Sequence, residues 1–147
     1  AVRAGIILYG LYPSDQVQRE ALFLEPAMEL KSFITYIKEI GPGAAVSYGG
    51  TFVADRPMRL ATVSIGYGDG YPRSLSNKGE VLVHGTRARI LGRICMDQLG
   101  RDGTEEITME ELADLSGRFH YEIPCLMGKR LPRVYVSGGR TREAGEL

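Results

Sequence analysis

The sequence predicts a mainly β domain with one short helix. Three observations carry that reading. Short apolar runs recur along most of the chain, separated by turn signals such as "DRP", "GDGYP" and "NKG". Several strands at this spacing suggest a β-barrel or sandwich. Residues 27–40 alternate between apolar and polar side chains over a long stretch. One segment alone, 108–117, carries both a helix start and a helix stop.

Taken in order, "AGIILYGL" (4–11) is a continuous apolar run bounded by Arg3 and Pro13, as a strand buried on both faces would be. The polar stretch to Pro26 lacks a period and is expected to be a connection. In "AMELKSFITYIKEI" (27–40), Met28, Leu30, Ile34, Tyr36 and Ile40 share one parity, while Glu29, Lys31, Thr35 and Glu39 share the other. That pattern predicts a half-exposed antiparallel strand, the longest of the fold, ended by "GPG". Further strands are expected in "AVSYGGTFVA" (45–54), "RLATVSIGY" (59–67), "GEVLVHG" (79–85) and "TRARILGRICM" (86–96). Thr108 can cap the helix, Glu111 completes a capping box, and Gly117 suits the stop. "YEIPCLMGKRLPRVYV" (121–136) is expected to return to extended structure, and the glycine-rich end from 138 to be a flexible tail. With 147 residues there is room for one domain and little for a second. The expected division is 1–26, a leading segment; 27–137, the β-domain; and 138–147, the tail.

Lysine plus arginine and aspartate plus glutamate each total 18, so the formal net charge is zero. That argues against a nucleic-acid surface, which needs excess cations to meet phosphates. No apolar run approaches bilayer length, so no membrane partner is expected. The opening residues lack the pattern of a secretory signal, and the expected location is the cytoplasm. Cys95 and Cys125 are the only cysteines and stand far apart, and His84 and His120 add no ligand spacing to them. No metal is expected, and both thiols are expected to be reduced.

Four stretches hold residues that could do chemistry. In "VSYGGTF" (46–52), Tyr48 sits beside two glycines that leave its ring uncrowded, which fits either a turn or a reactive phenol. "IGYGDGYPR" (65–73) fits a phosphate-binding loop or a tight turn capped by Asp69, but it lacks the lysine of a P-loop. "GRICMDQ" (92–98) places Arg93 and Asp97 at a strand end, where they suit a surface ion pair or carboxylate binding. In 120–133, Lys129, Arg130 and Arg133 read as a solvated basic face.

"VRAGIILYG", "VSYGGTF", "IGYGDGYPR", "GRICMDQ" and "YEIPC...KRLPRVY" occur in this order, and together they resemble alanine racemase. The resemblance runs through nearly the whole chain and corresponds to the second half of that enzyme. It implies a mainly β, alanine-racemase C-terminal-like β-barrel domain over 27–137. Residues 1–26 would then be the last strand and connection of a (β/α)8 barrel that holds pyridoxal 5'-phosphate on a lysine. It also implies a homodimer that interconverts L- and D-alanine, supplying D-alanine for cell-wall peptidoglycan.

By the same resemblance, Tyr48 moves the substrate Cα proton on one face of the cofactor, and the lysine does so on the other. A free phenol is a weak base at neutral pH, so that role asks for surroundings that favour the phenolate. Arg3 matches an arginine that bonds the pyridine nitrogen; a guanidinium only donates, which leaves that nitrogen unprotonated and limits side reactions. Gly5 and Ile6 match backbone amides on the cofactor phosphate, and Tyr121 matches a hydroxyl on the same phosphate. Met96 matches the residue whose amide meets the substrate carboxylate. Tyr67, Arg73 and Arg93 correspond to residues lining the channel by which substrate enters, with Asp97 beside them.

The sequence departs from the family pattern in two places. Lys31, Lys38, Lys78 and Lys129 all fall outside the motif of the cofactor lysine. After Gln98 the family continues through two more strands, whereas here "CMDQ" runs almost directly into "LGRDGTEEIT". A fragment of this kind is expected to need a complementary barrel chain for catalysis. The alternative is a non-catalytic β-domain acting as a dimerisation or binding module. Serine in place of alanine is a third reading that these motifs do not separate.

Overall fold

The computed structural model describes residues 1–14, 16–101, 103–104 and 107–143. The chain divides into two compact units, Ala1–Ser32 and Phe33 onward. That division falls a little beyond the 26/27 boundary expected from sequence.

In the first unit the apolar run is not a strand. Gly5–Tyr9 form a 3-10 helix that ends at Gly10, whose amide donates to the Ile7 carbonyl at 3.0 Å. Gly5 and Gly10 have φ of 63° and 76°, a region open to glycine at little cost. The two glycines let the run coil on its own i→i+3 bonds instead of joining a sheet. Ile6 and Leu11 are buried while Leu8 is exposed, so hydrophobicity was read correctly and its geometry was not.

The second unit is mainly β, as expected. Strand β1 (Ile34–Ile40) pairs antiparallel with β4 (Met58–Val63), in a register that sets Ile37 opposite Ala61 and Ile40 opposite Met58. It is the longest strand among the described residues, but it begins seven positions later than the alternation predicts. The cause is its partner: β4 ends at Val63, opposite Ile34, and one more bond, from the Ser64 amide to the Phe33 carbonyl at 3.0 Å, closes the pairing. The other edge of β4 takes β7 (Leu99–Arg101).

The expected single strand 45–54 is a hairpin. β2 (Ala45–Val46) pairs with β3 (Phe52–Val53) across a tight turn at Tyr48–Gly50. A second hairpin joins β5 (Glu80–Val83) to β6 (Thr86–Arg89) through His84 and Gly85, both at positive φ, as such two-residue turns require. β6 also pairs with β8 (Gly103–Thr104). The strand expected over 86–96 stops at Arg89; residues 90–96 are irregular, yet Ile90 and Ile94 are almost fully buried.

Helix α1 (Met109–Ser116) forms where expected. The Glu111 amide donates to the Thr108 hydroxyl at 3.2 Å, and Gly117 closes the helix at φ 68°. The second half of the expected capping box goes elsewhere, because the Glu111 carboxylate accepts from Arg87, which also bonds Glu80. Helix α2 (Glu122–Leu126) replaces the extended structure expected there. Pro124 lies in its first turn, where a missing N–H costs nothing, so it did not break the helix. Residues 140–143, expected to belong to a flexible tail, form β10 (Arg140–Glu143) paired with β9 (Val134–Ser137). The last four residues lie outside the described ones.

Among the described residues, Leu75, Ile90, Ile94 and Ile123 are the largest fully buried side chains. A cluster of Val46, Leu60 and Leu91, with Ile40, Phe52 and Met58 packed against it, lies under the β2–β3 hairpin. No helix among the described residues is long and apolar enough to cross a membrane.

Candidate active site

Tyr48 occupies the tip of the β2–β3 hairpin and is 75% exposed. The two residues that flank the turn hold it from below: Val46 faces Phe52 across the hairpin, and both join the cluster around Leu91. The backbone on either side is unusual. Ser47 adopts φ 65° although it is not glycine, and Gly49 adopts φ 71°. The strain at Ser47 is offset by its hydroxyl, which donates to the Arg93 carbonyl at 2.6 Å and lies 3.4 Å from the Cys95 sulfur.

Arg93 thereby comes to the tyrosine turn twice. Its carbonyl takes the Ser47 bond, and its guanidinium lies about one van der Waals contact from Gly49, 3.4–3.8 Å from where a β-carbon would stand. Gly92 makes the approach possible. At φ 78° it passes so close to the hairpin that a β-carbon would fall 2.6 Å from the Val46 carbonyl oxygen and 2.9 Å from the Ser47 β-carbon.

The same irregular segment carries Met96, which is half exposed, and it binds the Tyr67 turn through its backbone. The amide of Tyr67 donates to the Cys95 carbonyl at 3.0 Å, and that of Gly68 to the Met96 carbonyl at 2.8 Å. Asp69 is buried and accepts from the Gly66 amide at 2.9 Å, so the capping role read from sequence is the one it fills. Arg130 bridges Asp69, at 3.5 Å, and Asp97, to which it hydrogen-bonds. The Asp97 hydrogen bond, then the fields of Asp97 and Asp69, push the Arg130 guanidinium above its ordinary value. Asp97 therefore pairs with Arg130, while Lys129, Arg130 and Arg133 all stay exposed, as expected of a solvated basic face. Arg133 is also engaged, donating to the Met127, Gly128 and Leu131 carbonyls. Arg73 is exposed on a 3-10 turn whose carbonyl accepts from the Ser76 hydroxyl at 2.6 Å, and that hydroxyl accepts from the Ile94 amide at 3.0 Å. Residues 92–97 thus carry Arg93 and Met96 and hold Tyr67 directly, Tyr48 through Ser47 and Arg73 through Ser76.

Tyr121 stands at the start of α2, its ring stacked on Phe119 at 4.6 Å with an 8° tilt. In the first unit, Arg3 is exposed, and Gly5 opens the 3-10 helix with nothing within 4 Å of the place a β-carbon would take. No side chain caps that helix. Uncapped amides at Gly5 and Ile6 and an exposed guanidinium at Arg3 suit the phosphate and ring nitrogen of a pyridoxal cofactor.

The family model for the alanine racemase C-terminal domain matches residues 27–102, more than half of the chain. The chain belongs to the alanine racemase family. Alanine racemase from Desulforamulus reducens is 46% identical over 151 aligned positions, covering 92% of this chain and 41% of the relative. The solved alanine racemase of Clostridium difficile 630 superposes with a TM-score of 0.89 at 39% identity, covering 96% of this chain and 41% of that one. The Bartonella henselae alanine racemase, solved with covalently bound pyridoxal phosphate, gives a TM-score of 0.73 at 30% identity over 89% of this chain and 40% of its own. The chain thus spans about two fifths of the length of the alanine racemases it matches. The D. reducens alignment has more positions than the 147 residues present here, so that racemase carries residues inside the matched span that this chain lacks.

Sequence reading missed two side chains that build the site. Asn77 sits between the tyrosine turn and the 92–97 segment, bonding both. Ser47 was read only as a neighbour of Tyr48. Neither lies in a motif with a chemical signature, and both act through contacts at large sequence separation. The one signal in the sequence is the turn-forming "SNKG", whose asparagine adopts φ 60°, a left-handed conformation this residue tolerates.

Proposed function

We propose that this chain contributes the tyrosine half of a pyridoxal-phosphate-dependent alanine racemase, interconverting L- and D-alanine for peptidoglycan synthesis in the cytoplasm. The observation that carries the reading is the fastening of the Tyr48 turn to Arg93. An exposed phenol rarely has a fixed place, yet this one stands on backbone pinned by a 2.6 Å bond and by the Val46–Phe52 pair. A group that must meet a substrate carbon at one angle needs that support.

In this reading Tyr48 takes or returns the Cα proton on one face of the substrate, and the Arg93 carbonyl, through Ser47, holds the turn that presents it. The Met96 amide receives the substrate carboxylate. The Gly5 and Ile6 amides hold the cofactor phosphate, as does the Tyr121 hydroxyl, and Arg3 donates to the ring nitrogen. Pyridoxal phosphate supplies the electron sink that makes the Cα proton removable. Tyr67, Arg73 and Arg93 line the way in. Inversion needs a second base on the opposite face, which the family provides as a lysine of the barrel. The active assembly is therefore a homodimer, or this chain with a complementary barrel.

The test is to join the 147 residues to the lysine-bearing barrel of a family member and follow optical rotation of L-alanine with added cofactor. Racemisation that disappears in Tyr48→Phe supports the reading. A joined protein that binds cofactor and racemises equally with and without the hydroxyl overturns it.

A further inference from the structure

We propose that Asn77 is a positioning residue for Tyr48, tying the tyrosine turn to the segment that carries Arg93 and Met96. The inference rests on the reading of Tyr48 as the proton carrier, and it adds how that group is kept in place. Three bonds converge on this asparagine. Its side-chain amide donates to the Thr51 hydroxyl at 3.1 Å, at the end of the Tyr48 turn. Its side-chain oxygen accepts from the Gly92 amide at 2.7 Å, one residue before Arg93. Its own carbonyl accepts from Arg89 at 3.2 Å.

The geometry selects asparagine on two counts. The backbone stands at φ 60°, where few side chains other than asparagine rest easily. Of its two side-chain atoms, one must accept from an N–H and the other reaches a hydroxyl, so one amide spans two separate loops. Ser47 closes the same link from the opposite side by bonding the Arg93 carbonyl. The tyrosine turn is thus held before Tyr48 by Ser47 and after it by Thr51. Loss of either clamp frees one end of the turn while the buried cluster below remains.

Asn77→Gly keeps the backbone conformation and removes both side-chain bonds. In the 147-residue chain, hydrogen exchange at the Gly92 amide should rise roughly tenfold, as for a lost amide partner. Chymotryptic cleavage after Tyr48 should speed up by roughly the same factor. Exchange at the Arg118 amide, which bonds Ala113 at the end of α1, should not change. Thr51→Val breaks only the far bond, and it should hasten cleavage after Tyr48 while leaving Gly92 exchange alone. Unchanged cleavage in Thr51→Val, or loosening in Asn77→Gly that extends equally to Arg118, would overturn the proposal. Neither readout depends on catalysis, so a Tyr48→Phe protein that still racemises would defeat the functional reading and leave the Asn77 result standing.

Discussion

The Ser47 hydroxyl donates to the Arg93 carbonyl across 2.6 Å, from a backbone held at φ 65°. One bond thus joins residues far apart in sequence and keeps a strained conformation next to Tyr48. Ser47→Ala should destabilise the chain by about 1–2 kcal/mol, since the bond is lost while the strain stays. Ser47→Gly loses the same bond but relieves the strain, and should cost less. Urea midpoints of the two variants give the order, and equal losses would show that the backbone is not under strain.

Tyr48→Phe, in a chain completed by a lysine-bearing barrel, should slow racemisation by roughly 10²–10⁴-fold, the usual cost of a lost general acid–base. The loss should be one-sided. The isomer that presents its Cα hydrogen to the lysine should go on exchanging it with solvent deuterium, while the other isomer stops. Cofactor absorbance should be unchanged, because the proposed contacts lie at Arg3, Gly5, Ile6 and Tyr121. Equal exchange from both isomers would leave Tyr48 a packing residue.

The 147 residues by themselves, given pyridoxal phosphate and L-alanine, should produce no D-alanine, since the proposed second base belongs to the barrel. Chiral chromatography after prolonged incubation checks this. Turnover would mean that the barrel is dispensable.

Tyr71 offers a pH test. Burial pushes its phenol above the ordinary tyrosine value of about 10, and its hydroxyl reaches the Glu80 carbonyl at 3.3 Å. The folded chain therefore holds this proton more tightly than the unfolded one. The contribution is complete below the unfolded value and declines as pH climbs past it. Between pH 9 and pH 11 the wild type should lose more stability to urea than Tyr71→Phe does. Parallel losses would show that Tyr71 ionises as freely folded as unfolded.

The helix cap gives a simpler check. Thr108→Ala should cost about 1 kcal/mol by leaving the Glu111 amide without its acceptor. Glu111→Gln should act through Arg87, the group its carboxylate meets, and so should leave the cap bond in place. Helical circular dichroism separates the two, falling in Thr108→Ala only.

Much of this protein was legible in local sequence. The Thr108 cap, the Gly117 stop and the turn at Asp69 are read by near neighbours and formed where expected, while the alternating stretch 27–40 yielded a strand only over Ile34–Ile40. The ordered motifs around Tyr48, Tyr67, Arg93 and Tyr121 identified the family for the same reason: each is a short stretch with a distinct composition. What local sequence did not decide was pairing. Whether 4–11 coils or joins a sheet, where β1 begins, and whether 45–54 is one strand or two depended on partners and positive-φ glycines, which a hydrophobic pattern does not report. Tertiary structure alone brought Ser47, Asn77 and Arg130 into the site. Their bonds to Arg93, Thr51 and Gly92, and Asp97 span 46, 26 and 15, and 33 residues. A hydrogen bond is decided by distances of a few tenths of an ångström, and only the folded chain sets those distances.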